Sequence, residues 1–92
     1  AETSLAQLAL TGDERVLDVG CGDGRITAEI AARLPRGGAV GVDASHDMVE
    51  FARAQAAGAN LTFEVADARA LPYEGQFDLV VSFNALHWVA RQ

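Results

Sequence analysis

The sequence predicts an α/β fold built on a parallel, doubly wound sheet, and three observations carry that expectation. Short apolar runs alternate with helix-length amphipathic segments along nearly the whole chain. The first three runs are separated by connections long enough for the helical crossovers that parallel strands require. A glycine-rich turn, Gly20-Cys21-Gly22-Asp23-Gly24, lies between the first run and the helix after it, where open sheets of this kind bind their ligands.

Taken in order, residues 3–10, TSLAQLAL, place Leu5, Leu8 and Ala9 on one helical face until Thr11-Gly12-Asp13 breaks the pattern. RVLDV at 15–19 reads as a short buried strand. After the glycines, Ile26, Ile30 and Leu34 recur every fourth residue, while Arg25, Glu29 and Arg33 alternate in sign on another face. This predicts an amphipathic helix that Pro35 and Gly37-Gly38 stop. AVGVD at 39–43 is a second strand. Ser45 suits the N-cap of a helix from His46 to Ala57, Asp47 suits its positive end, and Gly58 is expected to close it in the left-handed conformation. LTFEV at 61–65 and FDLVVSF at 77–83 supply two more strands, joined by a polar loop containing Pro72 and Gly75.

Bulk properties exclude several classes. The chain has 92 residues, half of them hydrophobic, and a formal net charge of −6, which suits one globular unit and not a disordered one. Its seven basic residues are all arginine, scattered from Arg15 to Arg91, so no basic patch marks a nucleic-acid partner. Cys21 is the single cysteine; with His46 and His87 far apart it gives neither a disulfide nor a metal-ligand spacing, and a reducing cytoplasm is the expected compartment. No apolar run approaches the ~20 residues needed to span a bilayer, so no membrane partner is expected. The chain does not begin with Met, which suggests a segment of something longer.

The glycine turn departs from the dinucleotide fingerprint G-x-G-x-x-G: counted from Gly20 and Gly22, the third glycine belongs at position 25, where Arg25 stands, and Gly24 comes one place early. With a carboxylate inside the strand at Asp18, VLDVGCGDG at 16–24 resembles the first motif of the class I S-adenosylmethionine-dependent methyltransferases. The resemblance extends to VGVDAS at 40–45, VADARALP at 65–72 and FDLVVSFNALHWV at 77–89, and covers most of the chain from Arg15 onward. It implies that residues 1–92 are the N-terminal, S-adenosylmethionine-binding part of one Rossmann-like domain, carrying the first four strands, in order 3-2-1-4, of a seven-stranded sheet.

By that resemblance, Gly20-Cys21-Gly22 would lie against the methionine part of the cofactor, with Asp18 engaging its ammonium directly or through water. Asp43 would accept both ribose hydroxyls, a task suited to a carboxylate, which has two acceptor oxygens and no competing donor. Asp67 would accept from the adenine amino group, with the Ala68 N–H near the ring nitrogen and Ala44 or Met48 packed on the base. Asn84, at the end of the fourth strand, would join the cofactor site, and His87 after it is the candidate for orienting or deprotonating an acceptor. Cys21 itself is read as a small, inert loop residue, His46 as a surface histidine, and Trp88 and Val89 as core packing.

Enzymes that methylate an exocyclic amino group of a nucleobase carry an Asn/Asp-Pro-Pro-aromatic sequence after strand four; Ser82-Phe83-Asn84-Ala85 stands there instead. A Pro-Cys pair for cytosine chemistry is also absent. FDLVVSFNALHWV is similar to the small-molecule branch that includes trans-aconitate and malonyl-carrier-protein carboxyl methyltransferases, so the expected reaction is in-line methyl transfer to a small acceptor, giving S-adenosylhomocysteine. Two rival readings are a nicotinamide-dependent oxidoreductase, against which Arg25 and Asp18 count, and a non-catalytic nucleoside-binding or interaction domain. Four strands of this size bury only ~65% of the unfolded surface. Strand four is expected to be an exposed apolar edge, so the segment should belong to a longer protein or lean on another copy as a homo-oligomer through that edge.

Overall fold

A computed structural model describes residues 10–56, 58–67 and 76–82 and the backbone of the strand at 88–91. The expected helix at 3–10 lies outside these residues. The elements run β1 (Arg15–Val19), α1 (Arg25–Ala32), β2 (Gly38–Asp43), α2 (His46–Ala56), β3 (Leu61–Val65), β4 (Leu79–Ser82) and β5 (Trp88–Arg91), and the strands form one sheet in the order β3-β2-β1-β4-β5. β1 pairs in parallel with β2 and with β4, and β2 in parallel with β3, so the 3-2-1-4 arrangement of an α/β sheet is present.

Alternation along the central strands sorts side chains onto two faces. On one, Val16, Ala39, Phe63, Leu79 and Val81 pack with Ile30, Ala31 and Leu34 from α1 and its exit, and with Val49 and Ala52 from α2. On the other, Leu17, Val19, Val42, Phe77 and Val80 make a second cluster. Both crossover helices therefore cover the same face, as two successive right-handed connections require. Asp18 shares the helix-covered face with Val16, which puts a carboxylate under α1.

Local chemistry fixes the ends of these elements. The Glu14 carboxylate accepts the backbone N–H groups of Thr11 at 2.9 Å and Gly12 at 2.9 Å, folding the turn that delivers the chain into β1. The Thr11 N–H bond above all holds the Glu14 carboxyl down to about 2. Arg15 and Asp78 clamp the start of β1 to the entrance of β4: the Arg15 N–H donates to Asp78 Oδ2 at 2.9 Å and the Asp78 N–H to the Arg15 carbonyl at 2.8 Å. α1 ends at Ala32, and the Asn60 amide satisfies its exit by donating to the Ala31 and Leu34 carbonyls at 3.0 Å each. Ser45 caps α2 as expected, its Oγ accepting the Met48 N–H at 3.3 Å.

Two expectations are corrected. Gly58 does not adopt a left-handed conformation; the described glycines with positive φ are Gly12, Gly20, Gly22 and Gly24. Gly58 instead forms a one-residue antiparallel bridge with Leu61, closing a tight turn into β3. Nor is β4 an open edge. β5 runs antiparallel along it, from Leu79↔Arg91 to Ser82↔Trp88. Residues 83–87 separate the two strands, too few for a helical crossover, so an antiparallel return is the arrangement open to them. Dimerisation through an exposed β4 edge therefore loses its basis, and β3 is the outermost strand at the other side.

Candidate functional site

The glycine loop leaves β1 at Gly20 and enters α1 at Arg25. It is tied to the neighbouring strand, because the Gly20 and Cys21 N–H groups both donate to the Val42 carbonyl, at 2.8 and 2.9 Å. Gly20 and Gly24 serve different ends. Gly24 has φ 84°, and a Cβ there would stand 2.7 Å from the Phe63 ring, so its bareness lets α1 close onto the sheet. Gly20 has φ 74°, yet a Cβ on it would meet nothing within 4 Å. Packing does not demand that open face, and it leaves a cradle where a ligand can lie against main chain.

Asp43 ends β2 and is half-buried. Its Oδ2 accepts the Gly22 N–H at 3.1 Å and its Oδ1 the Ser45 N–H at 3.0 Å. The carboxylate is thereby held between the glycine loop and the start of α2. An ionised carboxylate offers about four lone-pair directions, so two acceptor positions remain for a vicinal diol. The Ala66 N–H donates to the Asp43 carbonyl at 3.0 Å, which brings the exit of β3, and the exposed Asp67 just beyond it, to the same end of the sheet. Beside Gly22 opens a pocket of about 240 Å³ lined by Cys21, Gly22, Asp23, Arg25, Ile26 and Met48. Arg25 is an exposed rim residue, its Nε 3.3 Å from Asp23 Oδ2.

Asp18 differs in kind. It sits one residue from the end of β1, 2% exposed, and its Oδ2 accepts the Thr27 hydroxyl at 2.6 Å. Burial pushes its carboxyl up from 3.8 to about 6, against the opposing pull of the Thr27 hydrogen bond. Cys21 is buried beside it. Burial first, and then the nearby charges of Asp18 and Asp43, push the thiol up to about 12, so no thiolate forms in the working range of pH and the residue is inert as a nucleophile.

The structure thus gathers Asp18, Gly20, Cys21, Gly22, Asp43, Ala44, Met48 and Asp67 at the carboxyl ends of β1, β2 and β3. Ala68, Asn84 and His87 lie outside the described residues, as do the side chains of Trp88 and Val89. Sequence reasoning missed Thr27. The signal was a β-branched polar residue one place after Ile26, beside the apolar stripe of α1, where only a buried partner would make a hydroxyl acceptable. The arrangement offers a bare backbone for close approach, a half-buried carboxylate with acceptor capacity to spare and a buried carboxylate without a described cation. Among the described residues no helix is long and apolar enough to cross a membrane.

Comparison with known proteins agrees with this geometry. A methyltransferase of Schizosaccharomyces pombe, itself uncharacterized, is 40% identical over 88 residues, covering 94% of this chain and 33% of the relative. The trans-aconitate 2-methyltransferase of Deinococcus radiodurans is 43% identical over 75 residues, covering 82% of this chain and 28% of the enzyme. Among solved structures, a chain of a Haloferax volcanii complex between a methyltransferase and a methyltransferase activator superposes with a TM-score of 0.78 at 32% identity, covering 85% of this chain and 35% of that one. The chain thus spans about a third of the length of the curated relatives it matches. A family profile described as methyltransferase domain matches residues 16–92, and with that match joined to the sheet order, the glycine cradle and the carboxylate pair, the chain belongs to the methyltransferase domain family.

Proposed function

We propose that this chain is the cofactor-binding part of an enzyme that transfers a methyl group from S-adenosylmethionine to a small-molecule acceptor. The observation that carries the reading is Asp43, fixed by the Gly22 and Ser45 N–H groups at the end of β2, on the same glycine loop that leaves the bare face at Gly20. In this reading Asp43 accepts the ribose hydroxyls, Gly20-Cys21-Gly22 receive the amino-acid portion against main chain, and Asp18 takes the ammonium. Met48 and Ala44 cover one face of the base, and Asp67 with the Ala68 N–H reads its edge. Asn84, two residues beyond β4 in the sequence, joins the cofactor site in this reading.

When bound, S-adenosylmethionine supplies a sulfonium methyl group that an acceptor atom attacks in line while the thioether leaves. The leaving group is good, so the protein's contribution is placement and exclusion of water. Its acidic site favours the approach of a cationic cofactor. The trans-aconitate methyltransferases among the relatives support a small carboxylic acid as acceptor class. A carboxylate nucleophile is already ionised and needs no base, which leaves His87 the task of orienting the acceptor. The nicotinamide alternative gains no support from the family match.

Isothermal titration with S-adenosylhomocysteine, and separately with NAD, tests the reading. Saturable binding of the first, weakened at least tenfold in Asp43→Ala and with no heat from NAD, is the expected result. Binding of NAD alone, or an affinity for S-adenosylhomocysteine that Asp43→Ala leaves intact, refutes it.

A further inference from the structure

Resting on that reading, we propose that Thr27 is a positioning residue for the cofactor: its hydroxyl holds the Asp18 carboxylate in the orientation that receives the α-ammonium group. Thr27 lies in the first turn of α1 and is fully buried. A threonine in a helix ordinarily turns its hydroxyl back to the carbonyl four residues earlier or out to water. Here the hydroxyl crosses instead from helix to sheet and donates to Asp18 Oδ2 at 2.6 Å, the short distance of a hydrogen bond to a charged acceptor.

That bond matters because little else holds the carboxylate. Across the sheet, Asp18 stands in register with Gly41 of β2 and Val81 of β4, neither of which carries a polar side chain. From the loop, its neighbour Cys21 is held neutral, and the charged groups nearest that thiol besides Asp18 are Asp43 and Asp23, both negative. Arg25, at the start of α1, is an exposed side chain paired with Asp23. Among the described residues, then, no cation balances Asp18. The Gly20 and Cys21 N–H groups are already held by the Val42 carbonyl and the Gly22 N–H by Asp43, so the Thr27 hydroxyl is the described donor that sets the orientation of the Asp18 carboxylate near the carboxyl end of β1.

The bond also favours the ionised carboxylate over the neutral acid, opposing burial. Losing it would therefore raise the pH at which the ammonium finds a charged partner. A purely structural threonine would show no such signature.

The test compares two nucleosides that share the adenosyl thioether, S-adenosylhomocysteine and 5′-methylthioadenosine, the second lacking the amino-acid end. Each is titrated calorimetrically between pH 5 and 7, where the α-ammonium stays protonated. The unmodified protein should prefer S-adenosylhomocysteine increasingly as pH rises through about 6. Thr27→Val, which keeps the shape and removes the hydroxyl, should cut that preference about tenfold at pH 7 and move its midpoint upward. Thr27→Ser should restore both. If the valine variant does not fold, Thr27→Ala removes the same hydroxyl without setting a methyl group against the carboxylate. Equal losses for both nucleosides, or an unchanged preference and midpoint in the variants, would overturn the proposal. A pH-independent preference in the unmodified protein would overturn it while leaving the nucleoside site standing, whereas no binding of either nucleoside would remove the site reading and the proposal together.

Discussion

Replacing Asp18 with asparagine should stabilise the nucleoside-free protein at neutral pH while weakening its hold on the cofactor. The size follows from the cost of ionising a carboxylate under α1. Burial raises the Asp18 carboxyl from 3.8 to about 6, so the folded state retains a proton that the unfolded chain releases. For an acid with a raised folded value, stability is unaffected below about pH 4. It falls as pH rises toward 6 and stays reduced above that, by about 3 kcal/mol at most. Asparagine has no charge to desolvate, and its amide oxygen can still accept the Thr27 hydroxyl. Its NH₂ group needs a buried acceptor, which returns about 1–2 kcal/mol of the gain. The net expectation is a stabilisation of about 1–2 kcal/mol at pH 7, a rise in Tm of the order of 4–15 °C for a domain of this size. The assay is thermal melting of both proteins from pH 4 to 8, read as the difference between them so that other titrating groups cancel. A gap that opens between pH 4 and 6 and then levels is the predicted trace. A gap independent of pH, or an asparagine variant less stable than the parent at pH 7, would refute the reasoning, because the buried charge would then not be the source of the cost.

Three further outcomes follow from named contacts. Glu14→Gln should lose about 2 kcal/mol near neutrality, after allowance for solvent screening. The Glu14 carboxyl is held near 2 against an ordinary 4.5, so its contribution is full above about pH 4.5 and disappears as pH falls toward 2; melts in which the two proteins converge on acidification check this. Gly24→Ala should cost about 2–4 kcal/mol, from the left-handed backbone and a Cβ set 2.7 Å from the Phe63 ring, and Phe63→Leu in the same chain should recover part of it in denaturant titrations. Cys21, buried with its thiol pushed up to about 12, should resist a disulfide reagent at pH 8 until denaturant is added, and prompt labelling of the folded protein would contradict its placement.

Much of this architecture was legible because it rests on short-range chemistry. The sheet order came from the resemblance to the methyltransferases, whereas β1, β3 and the N-cap at Ser45 fall where hydrophobic patterning and capping rules put them. Asp43 could be placed at the end of β2 for the same reason. Features that depend on partners distant in sequence were less visible. α1 ends two residues before its apolar stripe because Asn60, from the turn before β3, supplies the terminal capping bonds. Gly58 carries turn chemistry that a glycine after a helix does not disclose, since its conformation depends on the bridge to Leu61. β5 escaped notice because WVAR gives no alternation strong enough to separate a strand from the core packing expected of Trp88 and Val89. Thr27 was overlooked because its value lies wholly in an acceptor nine residues earlier on another element.

The polar groups of the site are unequally provided for, and the inequality indicates where ligand binding acts. The Gly20 and Cys21 N–H groups are held by Val42, and both oxygens of Asp43 by main-chain donors, so this part of the site is built before any nucleoside arrives. Such preorganisation spares binding the cost of ordering a loop. Asp18 is the exception, a buried carboxylate whose described partner is a single neutral hydroxyl. On the proposed reading, a buried carboxylate with no described cation partner is suited to a ligand that brings one. The desolvation already incurred on folding then need not be incurred again on association, and the electrostatic gain from a cation entering a site of low polarity is larger than it would be at the surface. The cost of burying Asp18 and its attraction for a cation thus share one origin, its placement beneath α1.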